Sequence, residues 1–358
     1  MQKKLKRWLI ITISLSLAAL ILIGGIIVLV DPYFHYHAPL SCFGYIMDNE
    51  RYQNDGIVKH FDYDAIITGS SMTENFKTSD LNALFNVNAI KVPFSGGSFK
   101  EVNELLKTAL KTNPNVKMIV RGLDYDRFFD EPDHRDYDSY PDYLYDNNPF
   151  NDVSYLFNSE VLFVALQDII GRDANGKLEI NFDTYVSWKN TLAFGKDAVD
   201  YGYNRNAIER TDIAEHVSDE EFLTIKQNIE ENVLSLVKEY PNTEFYLYFP
   251  PFSIAYMDNI KLQGKLEKQL EAEKYIVEML LPYGNVKIYS FILEDNLITN
   301  IDNYRDIGHH SAEINTQILK WMKEGEGLLT EENYLDYLSR EHKFLTEFDY
   351  ETYFADWN

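Results

Sequence analysis

The chain has 358 residues, enough for one large domain or two ordinary ones, and its 45% hydrophobic content excludes general disorder. A single cysteine, Cys42, excludes an internal disulfide and any cysteine-cluster metal site. The net charge is −24, yet Lys3, Lys4, Lys6 and Arg7 crowd the first seven residues and leave 29 basic against 57 acidic residues in the rest, a balance that repels nucleic-acid phosphates.

In chain order, residues 1–7 form a basic stub and residues 8–30 an uncharged run from Trp8 to Val30. As a helix that run reaches roughly 34 Å, enough to cross a hydrocarbon core. Three readings compete: a retained signal-anchor, a cleaved signal peptide and a core helix. The run is longer than a signal peptide needs, no small-residue cleavage site lies in Ile26–Pro32, and a core helix has no need of a basic flank. A retained single-pass anchor in membrane lipid is therefore expected, with a cytoplasmic N-terminus and an extracytoplasmic body. The exit, Pro32 to His37, reads as an interfacial aromatic belt at the head of a membrane-proximal segment, residues 31–60. His35 and His37 are too few to hold a metal.

The body alternates strands and helices. Strands are expected at Tyr63–Thr68, Asn88–Pro93, Val116–Arg121, Phe245–Phe249 and Val286–Ser290. Helices are expected at Phe99–Thr112, Asp219–Tyr240, Leu262–Leu280 and Ala312–Met322. This alternation predicts an α/β fold with a mostly parallel sheet, whose ligands sit at the C-terminal strand edges. Residues 129–203 break the pattern as an inserted region rich in Tyr and Asp. Its Tyr137, Tyr140, Tyr143, Tyr145 and Tyr155 either face a sugar or pack as an ordinary insertion. Residues 328–358 form a C-terminal extension that packs back or frays.

Two segments carry chemistry. Thr68-Gly69-Ser70-Ser71 leaves a buried strand, where a hydroxyl can be a nucleophile or a plain helix cap. Far downstream, Asp306 and His309 stand three residues apart before a helix, close enough for a carboxylate to orient a basic imidazole. A surface or capping histidine is the competing reading. His60, His134, His216 and His342 have no comparable setting, and adjacent His309 and His310 cannot converge on one ion. Glu74 and Asn75 contact substrate or hold the turn. Arg121 and Arg127 flank the third strand exit, where an anionic or acyl group would lie.

Gly69-Ser70-Ser71 and Asp306-Ile307-Gly308-His309, in this order, resemble the SGNH/GDSL hydrolase superfamily. The likeness is to its membrane-anchored bacterial branch, similar to the D-alanyl-lipoteichoic acid transfer protein and polysaccharide O-acetylation proteins. The resemblance implies a flavodoxin-like three-layer domain at 61–327 that carries the insertion. It makes Ser71 the nucleophile, His309 the base and Asp306 the orienting acid, with Ser70 replacing the usual Asp. Pro93-Phe94-Ser95-Gly96-Gly97-Ser98 resembles the block that supplies an oxyanion N–H, with Gly97 preferred over Gly96. Arg121-Gly122-Leu123-Asp124 places Asp124 where the family has an asparagine, and a carboxylate donates no hydrogen bond unless protonated. A serine-dependent esterase or O-acyltransferase acting on acyl esters of cell-envelope glycans follows, without cofactor or metal. A membrane acyltransferase is implied as partner. The alternative is a non-enzymatic binding or scaffold protein of envelope polysaccharide assembly on the same fold.

Overall fold

The computed structural model describes residues 2–137, 140–146, 148–171, 180–188, 192–294 and 296–357. Parts of the expected insertion, residues 138, 139, 147, 172–179 and 189–191, lie outside the described residues. The chain divides into two compact units. One holds the residues up to Phe61 with Tyr137–Asn181, the other Asp62–Asp136 with Phe182–Asn358.

In the first unit a helix runs from Gln2 to Val30 and takes in most of the basic stub. Among the described residues it is the one helix long and apolar enough to cross a membrane, consistent with a single anchor. The exit, expected as an interfacial aromatic belt, is also folded into the unit. Asp31, at φ +51°, receives the backbone N–H groups of His35, Tyr36 and His37 at 2.7–3.0 Å, and the Tyr155 hydroxyl at 2.8 Å. One carboxylate thus closes the turn, as Asp does where the backbone lacks partners. Tyr33 and Phe34 are buried by this fold and make ring contacts with Tyr52, Tyr155, Tyr45 and Phe61. Helices Asp142–Tyr145, Val153–Leu156 and Ser159–Ile170 complete the unit. Tyr155 lies in its core with Ile27, Tyr33, Leu144 and Val161, and half-buried Tyr143 and Tyr145 pack against that core. These tyrosines are structural.

The second unit is built on a six-stranded sheet: β1 Ala65–Thr68, β2 Ala89–Lys91, β3 Met118–Gly122, β4 Glu244–Phe249, β5 Val286–Ser290 and β6 Leu328–Leu329. The order is β2-β1-β3-β4-β5-β6, with every neighbouring pair parallel except β5–β6. β1 is Ala-Ile-Ile-Thr and buried throughout, as a strand covered on both faces must be. Its Ile66 pairs with Ile90 on one side and Ile119 on the other. From β1 the chain passes outward to β2, then returns across β1 to β3. The order therefore reverses between β1 and β3, where α/β sheets open a crevice at their C-terminal edge.

The helices show where local pattern suffices. Phe99–Thr112 has the predicted bounds, set by a reciprocal cap between Ser98 and Glu101. The helix expected over Asp219–Tyr240 contains a π turn, Glu230–Leu234, whose Asn232 carbonyl accepts a hydrogen bond from Arg121 at 2.7 Å. Leu262–Leu280 is not one helix. Gly264 adopts φ +74° where a side chain would strike Ile213, so the chain breaks into Ile254–Leu262 and Leu266–Leu280. At the end, β6 pairs with β5, and Tyr334–Glu347 forms a helix with Glu341 and Leu345 buried.

Candidate active site

The site begins where β1 ends. Gly69 turns the chain at φ +146°, and a Cβ there would stand 2.8 Å from Thr73 Cγ2 and 3.2 Å from the Gly122 nitrogen. Glycine alone fits this position comfortably. Ser70 then caps a short 3₁₀ turn, Ser71–Thr73, its Oγ accepting the Met72 N–H at 3.2 Å. This leaves Ser71 at the turn's outer edge, with its hydroxyl free to meet a partner from the other end of the chain.

That partner is His309, whose Nε2 lies 2.8 Å from Ser71 Oγ. On the far side of the ring, Nδ1 stands 2.8 Å from Asp306 Oδ2 and 3.0 Å from Oδ1. An ionised carboxylate only accepts, so Nδ1 carries the proton and Nε2 of the neutral ring is the acceptor for Ser71. Burial opposes ionisation of Asp306, but the His309 ring and the N–H groups of Gly308 and His309 outweigh it and hold the pKa below its ordinary value. The loop is fixed from beneath. The Ser253 hydroxyl and N–H both donate to Ile307 O, and the Tyr304 hydroxyl donates to Pro251 O at 2.7 Å. His310 faces inward; burial lowers its pKa to about 4, and it lies outside the cleft.

A cleft of about 250 Å³ opens over these groups, bordered by Ser71, His309, Asp306, Gly96, Asp124, Asp126, Arg127, Phe252 and Tyr256 among others. Asp124 follows β3, is buried, and its Oδ1 has no hydrogen-bond partner among the described residues. Burial, reinforced by Asp126, pushes its pKa up to about 7 against the opposing hydrogen bond from Ser70. Arg127 is held by Asp136 at 2.7 Å and Asp130 at 3.5 Å, and also donates to Gly96 O at 3.1 Å.

Several expected residues fall elsewhere. Gly97 does not border the cleft, and its N–H is committed to Phe94 O at 2.7 Å in a tight turn. Gly96, at φ +60°, is the glycine on the cleft wall. Arg121 is buried under the sheet edge, donating to Asn232 O and Phe99 O, away from the cleft. Asn75 and Glu74 hold a residue that sequence reasoning missed, Trp188. The Trp188 backbone N–H donates to Asn75 Oδ1 at 2.9 Å, and its indole N–H donates to Glu74 Oε2 at 2.5 Å. The indole meets the His309 ring edge-on at 5.0 Å, and the Arg305 guanidinium lies 5.0 Å from its centre. Nothing near Trp188 in the chain marks it, since each contact spans more than a hundred residues. Phe252 and Tyr256 were also missed; the prolines closing β4 were the available signal.

No protein-family model matches this chain, and no curated protein matches it. A solved structure from Streptococcus pneumonia, described as a candidate platelet activating factor, is similar at 13% identity with a TM-score of 0.38, covering 77% of this chain and 90% of that one.

Proposed function

We propose that this chain is a membrane-anchored, serine-dependent esterase or O-acyltransferase of SGNH type, acting on acyl esters of cell-envelope glycans. The observation that carries the reading is the hydrogen-bonded line from Ser71 through His309 to Asp306 at the open edge of the sheet. The parallel order 2-1-3-4-5 is the flavodoxin-like one, which supports the fold assignment. The domain would span residues 61–327 with the insertion, held outside the membrane by an anchor whose basic flank stays in the cytoplasm.

In this scheme His309 Nε2 takes the Ser71 proton as Oγ attacks the acyl carbonyl. The Ser71 and Gly96 N–H groups face the oxyanion, and Asp124 donates from its neutral acid form. His309 then returns the proton to the departing glycan oxygen. Water releases the acyl group in an esterase, and a sugar hydroxyl accepts it in a transferase, the acyl supply then falling to a membrane acyltransferase partner. Asp126 and Asp306 around the cleft, with Arg127 already spent on acids, favour a neutral ester over an anionic one. Phe252 and Tyr256 supply aromatic surface for a sugar.

The test is labelling of the full-length protein by a fluorophosphonate, followed by ester release from acylated envelope glycan. Wild type should label and release; Ser71→Ala should do neither. Labelling that survives in Ser71→Ala would refute the assignment.

A further inference from the structure

The Ser159–Ile170 helix has two apolar faces and a protein partner for one of them. Val161 and Ala165 are buried, and Leu162 and Val164 pack with Val161 into the cluster that includes Ile23 and Ile27 of the Gln2–Val30 helix. On the other side Phe163, Leu166 and Ile170 follow the three-and-four spacing of a single helical face. Phe163 is 62% exposed and Ile170 77%. Phe150, Val153 and Phe157, just before the helix, extend the same kind of exposed apolar surface.

The polar groups are arranged the opposite way. Asp168, the one charged residue of the last two turns, is buried, and its Oδ1 accepts the Ile46 N–H at 3.0 Å. A helix facing water would turn Asp168 outward and Phe163 inward. Backbone groups at both ends also find internal partners. Asn158 caps the Glu160 N–H, Gly171 N–H returns to Gln167 O, and the Asp168 carbonyl accepts the Gly44 N–H. Backbone groups closed in this way are what a hydrocarbon surrounding requires.

Depth follows from the packing partner. Ile23 and Ile27 lie roughly 10 and 5 Å inside the Val30 end of the long helix. An element packed on those turns sits at the level of the outer acyl chains wherever that helix crosses a bilayer. The Ser159–Ile170 helix has 12 residues, about 18 Å, too short to span. Beside the long helix, and before the Ser159–Ile170 helix begins, Leu17, Leu20, Gly24, Val28, Leu156 and Phe157 line much of an open apolar groove of about 840 Å³.

We propose that the Ser159–Ile170 helix is a second, non-spanning membrane element, seated beside the anchor with its Phe163–Leu166–Ile170 face against lipid acyl chains. The inference rests on the reading of Gln2–Val30 as a membrane-crossing helix, and the test separates the two. The full chain, with Cys42→Ser, carries one cysteine at a time at Ile21→Cys, Phe163→Cys, Leu166→Cys, Ile170→Cys or, as an aqueous control, Glu220→Cys. Each is labelled with an environment-sensitive nitrobenzoxadiazole and reconstituted in phosphatidylcholine–phosphatidylglycerol vesicles. Doxyl lipids should quench positions 21, 163, 166 and 170, and iodide should quench them severalfold less than position 220. Iodide quenching at 163, 166 and 170 with lipid quenching at 21 would overturn this inference and leave the anchor standing. Iodide quenching at 21 as well would remove both. Protection of 163, 166 and 170 from iodide and doxyl lipid alike would mean protein covers the face, which also overturns the proposal.

Discussion

The Ser71 hydroxyl lies 2.8 Å from Nε2 of His309, although 238 residues separate the two in the chain. The bond depends on which ring nitrogen bears the proton, and Asp306 decides that by accepting from Nδ1. An amide at position 306 can present an N–H to Nδ1 and reverse the tautomer. Asp306→Asn should therefore lower kcat on a nitrophenyl acyl ester by about 10³–10⁴-fold, with KM little changed. A loss below about tenfold, with the fold intact by circular dichroism, would show that Asp306 does not orient the base.

Asp124 should tie the proposed activity to pH. Its carboxyl is pushed up to about 7 by burial and by Asp126, so it is neutral on the acid side of that value and ionised on the alkaline side. The neutral acid donates a hydrogen bond to a developing oxyanion, while the carboxylate repels it. Ester turnover in the wild type should fall as pH rises through about 7. Asp124→Asn, a donor at every pH, should keep its rate on the alkaline side. A pH–rate profile with the same alkaline limb in both proteins would take Asp124 out of the oxyanion site.

The parts of this arrangement that were legible in the sequence are those whose cause is local. Phe99–Thr112 could be bounded because its cap and its apolar spacing lie within the helix itself. Ser71, Asp306 and His309 stood out because a strand exit and a three-residue spacing carry their meaning in the local sequence. What was not legible depends on distant partners or on turn detail. Arg121 looks like a cleft residue until its acceptor, a π-turn carbonyl 111 residues away, is in place. The resemblance prefers Gly97 over Gly96, and only the bond from Gly97 N–H to Phe94 O shows that Gly97 is turned away from the cleft. The break at Gly264, by contrast, was available, since a glycine inside a long helical pattern lowers its propensity.

Trp188 should act as a positioning residue for His309. Its indole is anchored to Glu74 and rests edge-on against the imidazole. Trp188→Ala removes both the ring and a donor to a buried carboxyl, which should cost about 1–3 kcal/mol of stability in denaturant unfolding. Trp188→Phe keeps a ring beside His309 but loses the indole N–H. If the ring holds the base, kcat should rank wild type, then Phe, then Ala, with KM nearly constant. Equal kcat in all three would assign Trp188 a structural role only.

At Gly69 a single methyl group should couple stability to the site. Gly69→Ala would force a Cβ to within 2.8 Å of Thr73 Cγ2 in a backbone conformation that side chains resist. The expected loss is roughly 1–3 kcal/mol, with fluorophosphonate labelling of Ser71 slowed in the fraction that stays folded. Wild-type stability together with wild-type labelling would show that the turn relaxes freely.

Two carboxyls remote from the cleft should make stability depend on pH. Glu273, from the Leu266–Leu280 helix, and Glu341, from the Tyr334–Glu347 helix, are both buried. Burial pushes both pKa values up, the Glu273 charge raises that of Glu341 further, and the hydroxyls of Tyr125 and Ser290 only partly oppose this. A carboxyl with a raised folded-state pKa binds its proton more tightly folded than unfolded. Its contribution is therefore complete below the unfolded pKa of about 4.3 and is lost as pH rises through the folded value, about 8 for Glu273. The wild type should lose a few kcal/mol of stability across that window, seen as a falling Tm from mildly acid to mildly alkaline buffer. Glu273→Gln removes one of the two acids and leaves Glu341 without a neighbouring charge, so its Tm should fall less steeply. Parallel Tm curves for the two proteins would mean that the pair is already hydrated or ionised in the folded chain.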